Sequence, residues 1–434
     1  MKKLLILTSL AFAMVSCGTR SRSAHLSDDA LLDTVERYTI RYFTDFADPS
    51  TGMARERNND SNGNIVTVGG SGFGVMAIVA GAERGYFSKE EGVERLGRIT
   101  SFLERAERFH GAWAHWYDAD SEKTFSFSEF DDGGDLVETA FMVQGLLAAR
   151  QWLRRGGMPE GSAALSDRMD ALWKDVEWSW YTRGTDSLYW HWSKNWEWKM
   201  NHRISGYDET LITYVLAASS PTWPISRECY ETSYKTSDYY YNGKEYFGIT
   251  LPLGMELYGG PLFFSHYSYL GLDPRGLEDG YCNYFERNKA HSLIHYEYAK
   301  ANPRGNKGLG ENLWGFTSSD DYQFGYTSHN PGTQEENGTV SPTAAISSIP
   351  YTPKESMQVV RYLYDHDAFG PYGFYDAYNE AASPAVLDHY LAIDQGPEAV
   401  MIENYRSGLL WELFMSCPEV KAGLDKLGFN YNNQ

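Results

Sequence analysis

Residues 71–82 read SGFGVMAIVAGA, and residues 88–106 read SKEEGVERLGRITSFLERA. The first stretch is apolar all round. The second opens on a capping box, Ser88 with Glu91, and carries Leu96, Ile99, Leu103 and Ala106 on one face with charges opposite. A helix that is apolar on every side has to be packed between other elements, whereas an amphipathic one faces water. The same alternation runs along the chain. Before the first inner segment, residues 28–46 place Leu31, Leu32, Val35, Tyr38, Tyr42 and Phe46 on one stripe. After it come apolar 136–149 (LVETAFMVQGLLAA), amphipathic 162–181 and apolar 209–218 (ETLITYVLAA). Amphipathic 279–301 is followed by the small apolar segment from Ser341 (SPTAAISSI), and Thr352-Pro-Lys-Glu355 reads as a second capping box opening a surface helix. The last inner candidate is 398–414. A fourth pair falls in 223–271, where Tyr-rich and Gly-rich segments interrupt the pattern. Alternation of this kind predicts concentric rings: an all-α (α/α)6 toroid of six outer–inner helical hairpins, one domain over 27–434. The competing reading is an irregular α-superhelix of the same hairpins. No short-period repeat supports a solenoid.

Composition narrows the function. With 42% hydrophobic and 22% charged residues the chain has material for a large core and no case for disorder. Its 38 Lys+Arg against 58 Asp+Glu leave a net charge of -20 without a basic cluster, which excludes nucleic acid as a partner. Residues 1–17 carry Lys2 and Lys3, an apolar run from Leu4 to Val15, and Ser16-Cys17-Gly18. This reads as a signal peptide whose end resembles a bacterial lipobox, with Cys17 as the expected lipid anchor to a membrane; an ordinary cleaved signal is the alternative. Residues 18–26 read as a tether. The remaining Cys229, Cys282 and Cys417 have neither zinc-site spacing nor an even number.

The chemistry is predicted from the toroid. If the inner helices run parallel, their N-termini share one rim, and acidic residues cluster there: Asp131, Asp132, Asp135 and Glu138 before and at the second inner helix, Asp208 and Glu209 at the third, and Asp394 at the last. Taken singly, each cluster reads as a helix cap. Taken together they deliver carboxylates from three segments to one cavity. Loops expected on the same rim are aromatic: Trp113, His115 and Trp116; Trp190, Trp192, Trp196 and Trp198; Trp314; Tyr372 and Tyr375. Aromatic faces beside carboxylates suit a pyranose, whose apolar faces are edged by hydroxyls. Two carboxyl groups across a glycosidic bond can hydrolyse it, one protonating the leaving oxygen and the other activating water or attacking the sugar. No G-x-S-x-G, P-loop or H-E-x-x-H competes, and the Gly69–Gly74 run lacks a preceding strand, so it reads as a tight start to a helix. No cofactor and no metal are expected.

Several motifs resemble one family. Gly69-Gly-Ser-Gly-Phe-Gly, Glu138-Thr with Gln144-Gly-Leu-Leu, Ser341-Pro-Thr-Ala-Ala, Asp394-Gln-Gly-Pro and Ile402-Glu403-Asn-Tyr-Arg-Ser-Gly-Leu-Leu-Trp411 are similar to the bacterial glucoamylase-like proteins, which include the β-1,2-glucan hydrolases of glycoside hydrolase family 144. The resemblance spans roughly 30 to 430. It implies an (α/α)6 barrel and an inverting hydrolase of β-1,2-glucan or its oligosaccharides, acting internally or releasing sophorose. Carried over residue by residue, it implies Glu209 as general acid and Asp394 as the base, with Asp135 and Glu138 holding the substrate or exchanging roles with them. Asp131, Asp208, Trp113, His115, Trp116, Trp192, Trp196, Trp314, Tyr375 and Glu403 are the expected substrate contacts. An acid needs a raised pKa while a helix N-terminus lowers it, so burial or Asp208 beside Glu209 has to outweigh the dipole. The alternatives are a glucoamylase-like exo-hydrolase of another linkage, a polysaccharide lyase using Arg203 and the His266–Tyr267 pair, and a glycan-binding lipoprotein. The lipobox implies anchoring to the bacterial envelope, and the tether, lacking an acidic pair, favours the periplasmic side over the cell surface.

Overall fold

The computed structural model describes residues 22–59 and 63–431; the signal segment and Cys17 lie outside the described residues. Helices alternate between an outer and an inner ring. The outer helix α1 (Asp28–Thr44) leads to inner α2 (Val68–Arg84), and outer α3 (Lys89–Arg105) to inner α4 (Leu136–Leu153). Outer α5 (Ser162–Lys174) precedes inner α6 (Leu211–Ser219). In the fourth pair the short α7 (Arg227–Cys229), continued by a π-turn Tyr230–Tyr234, stands outside the 3-10 turns Leu262–Ser265 and Tyr267–Tyr269. Outer α8 (Tyr284–Ala301) pairs with inner α9 (Pro342–Ser347), and outer α10 (Pro353–Asp365) with inner α11 (Ala392–Arg406). Each inner element packs on the next, and α11 meets α2, so the ring closes as a helical toroid. Two further helices, α12 (Leu409–Met415) and α13 (Pro418–Leu427), pack beneath α4 and α6.

The inner helices are buried as their composition predicts: Val68 through Ala82 of α2 and almost all of α4 are inaccessible. The two lie in close contact because glycines face each other. A Cβ on Gly72 would stand 2.5 Å from Met142 Cα, and one on Gly145 would strike the Gly72 carbonyl. The Gly69–Gly74 run is the start of α2, as expected, although a short strand, Ile65–Thr67, does precede it, and its glycines serve close packing.

The outer capping box at Ser88 is present, with Ser88 Oγ accepting from Glu91 N–H. The one expected at Thr352 is not. Thr352 has φ −135° and ψ 61°, and its hydroxyl turns back to the Ser348 carbonyl; Pro353 alone marks that helix start. Three expected spans also change. The 162–181 helix stops at Lys174, and a 3-10 turn Trp178–Thr182 follows. The 398–414 helix breaks at Gly408, whose φ of 75° suits glycine, and α11 begins earlier, so Asp394 sits in its first turn. Helix α8 starts at Tyr284 and is not a solvated charged helix: Arg287, Asn288, His291 and His295 are buried and bonded to one another, to Ser265 and to the Leu253 and Gly260 carbonyls. Nor are residues 22–26 a tether. Ser23 is buried, its N–H and hydroxyl both donate to Asp365 on α10, and Arg361 donates to the Ser23 and Leu26 carbonyls.

Candidate active site

The N-terminal ends of α2, α4, α6 and α11 converge on a cavity of about 290 Å³. Its carboxylates are Glu56, Glu138 and Glu209, with Arg57 beside them. Its walls are aromatic: Trp116 and Phe127 on one side, Trp190, Phe263, Tyr267 and Tyr326 on the others. A short antiparallel pairing, Gly134 with Trp192 and Asp135 with His191, brings the 190–192 loop against the start of α4.

Capping explains some of the acidic residues but not all. Asp135 is the N-cap of α4, and its Oδ1 accepts from the Val137 and Glu138 N–H groups, 2.9 Å each. Its other oxygen accepts from Trp190 Nε1 at 3.0 Å and lies 3.3 Å from His115 Nδ1. Burial raises the Asp135 carboxyl, but the neighbouring His115 and the backbone donor outweigh it and hold it below the usual range. Glu138 caps a different helix: its Oε2 accepts from Gly69 N–H at 2.7 Å, in space that a side chain on Gly69 would fill. Burial, with help from the Asp135 charge, pushes Glu138 up to about 7 against the lowering pull of His115. Asp208 turns inward on its own helix start, accepting from Thr210 N–H at 2.9 Å, and burial raises it to about 6.

Glu209 and Asp394 do no such work. The N-cap positions of their helices, Thr210 and Leu391, make no side-chain cap bond, and neither carboxylate takes one over among the described residues. Glu209 faces the cavity, and burial followed by the adjacent Asp208 charge raises it well above 4.5. Those two effects do outweigh the helix dipole. Asp394 stands behind Tyr267 in an adjoining cavity of about 10 Å³, the room of one water, which shares Phe263 and Tyr267 with the main cavity. Its Oδ2 is buried and takes no N–H or hydroxyl hydrogen bond among the described residues, and its hydrogen-bonding neighbour is the Asp376 carboxyl. Burial and Asp376 raise it well above 3.8. Asp376 itself is pushed up to about 7 by burial and by the charge of Asp320, whose N–H it accepts at 2.7 Å. Arg57 Nη1 and His389 Nδ1 lie 3.0 and 2.8 Å from the two Asp320 oxygens. One acidic centre, Glu209, therefore lies in the main cavity, and another, the Asp376–Asp394 pair, lies beside the adjoining one.

Of the expected substrate contacts, His115 and Trp116 line the cavity, Asp131 lies within 3.5 Å of His115, and Asp208 lines a neighbouring cavity of about 240 Å³. Others belong elsewhere. Trp113 and Trp314 are wholly buried, their indole N–H groups donating to the Leu103 and Glu355 carbonyls. Trp192 packs against His110 and Trp180, Trp196 against Phe130 under Lys199, and Tyr375 against Tyr390; none lines the cavity. Glu403 is far along α11 and pairs with Arg84 and Ser407. The residues expected of a lyase are also engaged: buried His266 faces Ser348 at 3.0 Å, burial pushes it down to about 3, and Arg203 bonds Ser187. Sequence reasoning gave no role to Glu56, Arg57, Asp320, Asp376, Phe127, Phe263 or Tyr326, and named Tyr267 only in the lyase pair. The adjacent Asp320-Asp321 close to Trp314-Gly-Phe316 was the one available signal.

A toroid whose inner N-termini carry carboxylates into an aromatic cavity defines a glucoamylase-like scaffold. The Glycoamylase family model matches residues 201–418, and the chain belongs to that family. It is 44% identical over 425 residues to an exo β-1,2-glucooligosaccharide sophorohydrolase (non-reducing end) of Parabacteroides distasonis. That match covers 93% of this chain, which spans only 58% of the length of that relative. An endo-β-1,2-glucanase from Chitinophaga pinensis, solved with sophorotriose and glucose, superposes with a TM-score of 0.90 at 52% identity, covering 93% of this chain and 99% of that one. The endo-β-1,2-glucanase of Talaromyces funiculosus shares the fold alone, with a TM-score of 0.64 at 11% identity over 94% of this chain and 92% of that one.

Proposed function

We propose that this chain is a glycoside hydrolase that cleaves β-1,2-glucan or its oligosaccharides with inversion. The observation that carries the chemistry is Glu209: a cavity-facing carboxyl, free of capping duty, that burial and then the Asp208 charge push well above the usual carboxylate range. The linkage rests on the relatives, named for β-1,2-glucooligosaccharides and β-1,2-glucan. In this reading Glu209 gives its proton to the leaving glycosidic oxygen. Asp394, beside Asp376, is the base, and the one-water space that it lines is where the attacking water stands. Asp135, Glu138, His115, Trp116 and Trp190 bind the sugar.

The test is incubation of the chain from Gly18 onward, which keeps the docked residues 22–26, with linear β-1,2-glucan and, separately, with starch, resolving products by size and anomeric form. Sophorose or short β-1,2-oligomers, appearing first as the α-anomer, are expected. Glucose from starch would move the linkage and keep the hydrolase. No product from either would turn the reading toward another glycan or a binding role.

The Ser16-Cys17-Gly18 sequence supports a lipid-anchored, periplasm-facing form of the protein. Fatty-acid labelling of the full chain, expected to disappear in Cys17→Ser, checks the anchor.

A further inference from the structure

Among the described residues that line the main cavity, Arg57 is the only arginine or lysine. Its guanidinium is held by two carboxylates. Nε and Nη2 donate to the two Glu56 oxygens at 2.7 and 3.3 Å, and Nη1 donates to the two Asp320 oxygens at 3.0 and 3.4 Å. The backbone fixes the same segment. Arg57 forms an antiparallel bridge with Leu391, and the Glu56 carbonyl accepts from Ala392 N–H at 2.9 Å. Asn58 N–H donates to the Tyr390 carbonyl at 3.2 Å, and Tyr390 N–H to Asn58 Oδ1 at 2.7 Å. Residues 56–58 are thus zipped to the start of α11, whose first turn carries Asp394.

What surrounds Asp394 makes a cation necessary. Asp320, Asp376 and Asp394 are all buried, Asp376 neighbours Asp394, and Asp320 gives its N–H to Asp376 at 2.7 Å. The other elements packed on Asp394 bring no compensating charge. Tyr267 and His266 come from the 3-10 turns and Tyr326 from the strand Gly325–Ser328; burial pushes both phenols up and the imidazole down to about 3, so all three are neutral. His389 is bonded only to the outer side of the cluster, at Asp320 Oδ2. Carboxyls crowded in this way out of water keep their protons, and a protonated carboxyl cannot take one from water. Burial and then Asp376 hold Asp394 up, and the Arg57 charge works against them; it opposes burial and the Asp320 charge at Asp376 in the same way.

We propose that Arg57 is a positioning residue for the base: clamped between Glu56 and Asp320 at the start of α11, it supplies the positive charge that lets the Asp376–Asp394 pair ionise. Its part in turnover rests on the proposed function; its hold on the ionisation of the pair does not.

Arg57→Met and Arg57→Gln both remove the charge, Arg57→Lys keeps it, and circular dichroism checks each fold. The working base is ionised, so its loss sets the acidic limb of kcat, and removal of a cation moves that limb to higher pH. On linear β-1,2-glucan the limb should rise by about one pH unit in the neutral variants and return toward the parent in Arg57→Lys, with the alkaline limb in place. The same shift is sought without substrate. The infrared carbonyl band of protonated carboxyls is followed against pH, and the contribution of Asp394 is the part absent from Asp394→Asn. That band should persist to higher pH in Arg57→Met than in the parent. A band and a limb that both stay where the parent has them would overturn the proposal. So would a kcat lowered equally at every pH, the mark of a residue that only shapes the cavity. A parent chain that cleaves no glucan while the band still moves would count against the hydrolase reading and leave the hold of Arg57 on the pair standing.

Discussion

Glu209→Gln is expected to lower kcat on linear β-1,2-glucan by about 10³-fold, roughly 4 kcal/mol of transition-state stabilisation, with the fold intact. Glutamine keeps the shape of the side chain but has no acidic proton to give to the leaving oxygen. The pH profile carries a sharper signature. Burial, then the Asp208 charge, raises the Glu209 carboxyl well above 4.5, and the protonated form is the working one. Activity of the parent chain is therefore present below that raised value and lost as pH rises through it, and the alkaline limb should vanish in Glu209→Gln. Asp208→Asn removes the second cause of the shift, so its alkaline limb should move to lower pH while kcat at the acidic side survives. Profiles of kcat and kcat/KM from pH 4 to 10 check both. A Glu209→Gln chain within tenfold of the parent would remove Glu209 from the role of acid.

The ring architecture was legible because burial leaves a strong mark on composition. An element such as α2, enclosed on every side, cannot carry the charges that a surface helix needs, so alternation of the two kinds is nearly the fold itself. Where the inner element shrinks to 3-10 turns, as at Leu262–Tyr269, there is too little length for periodicity, and the pair was visible only as a gap. Helix α8 misled for a different reason. Its polar residues look solvated, yet Arg287 and His291 are satisfied by one another and by backbone carbonyls inside the wall.

At the site, the acidic N-termini were legible because each belongs to a helix start. Which of them cap was not, since that depends on the rotation of a side chain against a neighbouring helix, as Glu138 shows by serving Gly69. Asp320, Asp376 and His389 come from separate loops, and no local pattern joins them. Trp113 and Trp314 were assigned to the cleft on composition alone, and tertiary packing placed both in the core. Glu403 could have been excluded in advance. It is nine residues beyond Asp394 on one helix, about 13 Å along the axis, so the two cannot serve the same rim.

Asp394→Asn is the second change with a large expected effect, again about 10³-fold in kcat, because asparagine cannot take a proton from water. The decisive contrast is with Asp376. Burial and then Asp376 hold the Asp394 carboxyl up, so its ionised, working form is lost as pH falls through a value well above 3.8. Asp376→Asn removes that charge; the chain should stay active, and its acidic limb should move to lower pH. Azide separates a missing base from a damaged site. In an inverting enzyme a small anion placed where the water stood can attack the sugar without needing to lose a proton. Sodium azide should therefore restore turnover to Asp394→Asn and form the α-glycosyl azide, while leaving Glu209→Gln unrescued, since the leaving oxygen still lacks its acid. A β-glycosyl azide would point instead to a double displacement through an enzyme-bound sugar, and rescue of neither variant would shift the base to another carboxylate of the cavity, with Glu138, at about 7, the next to replace.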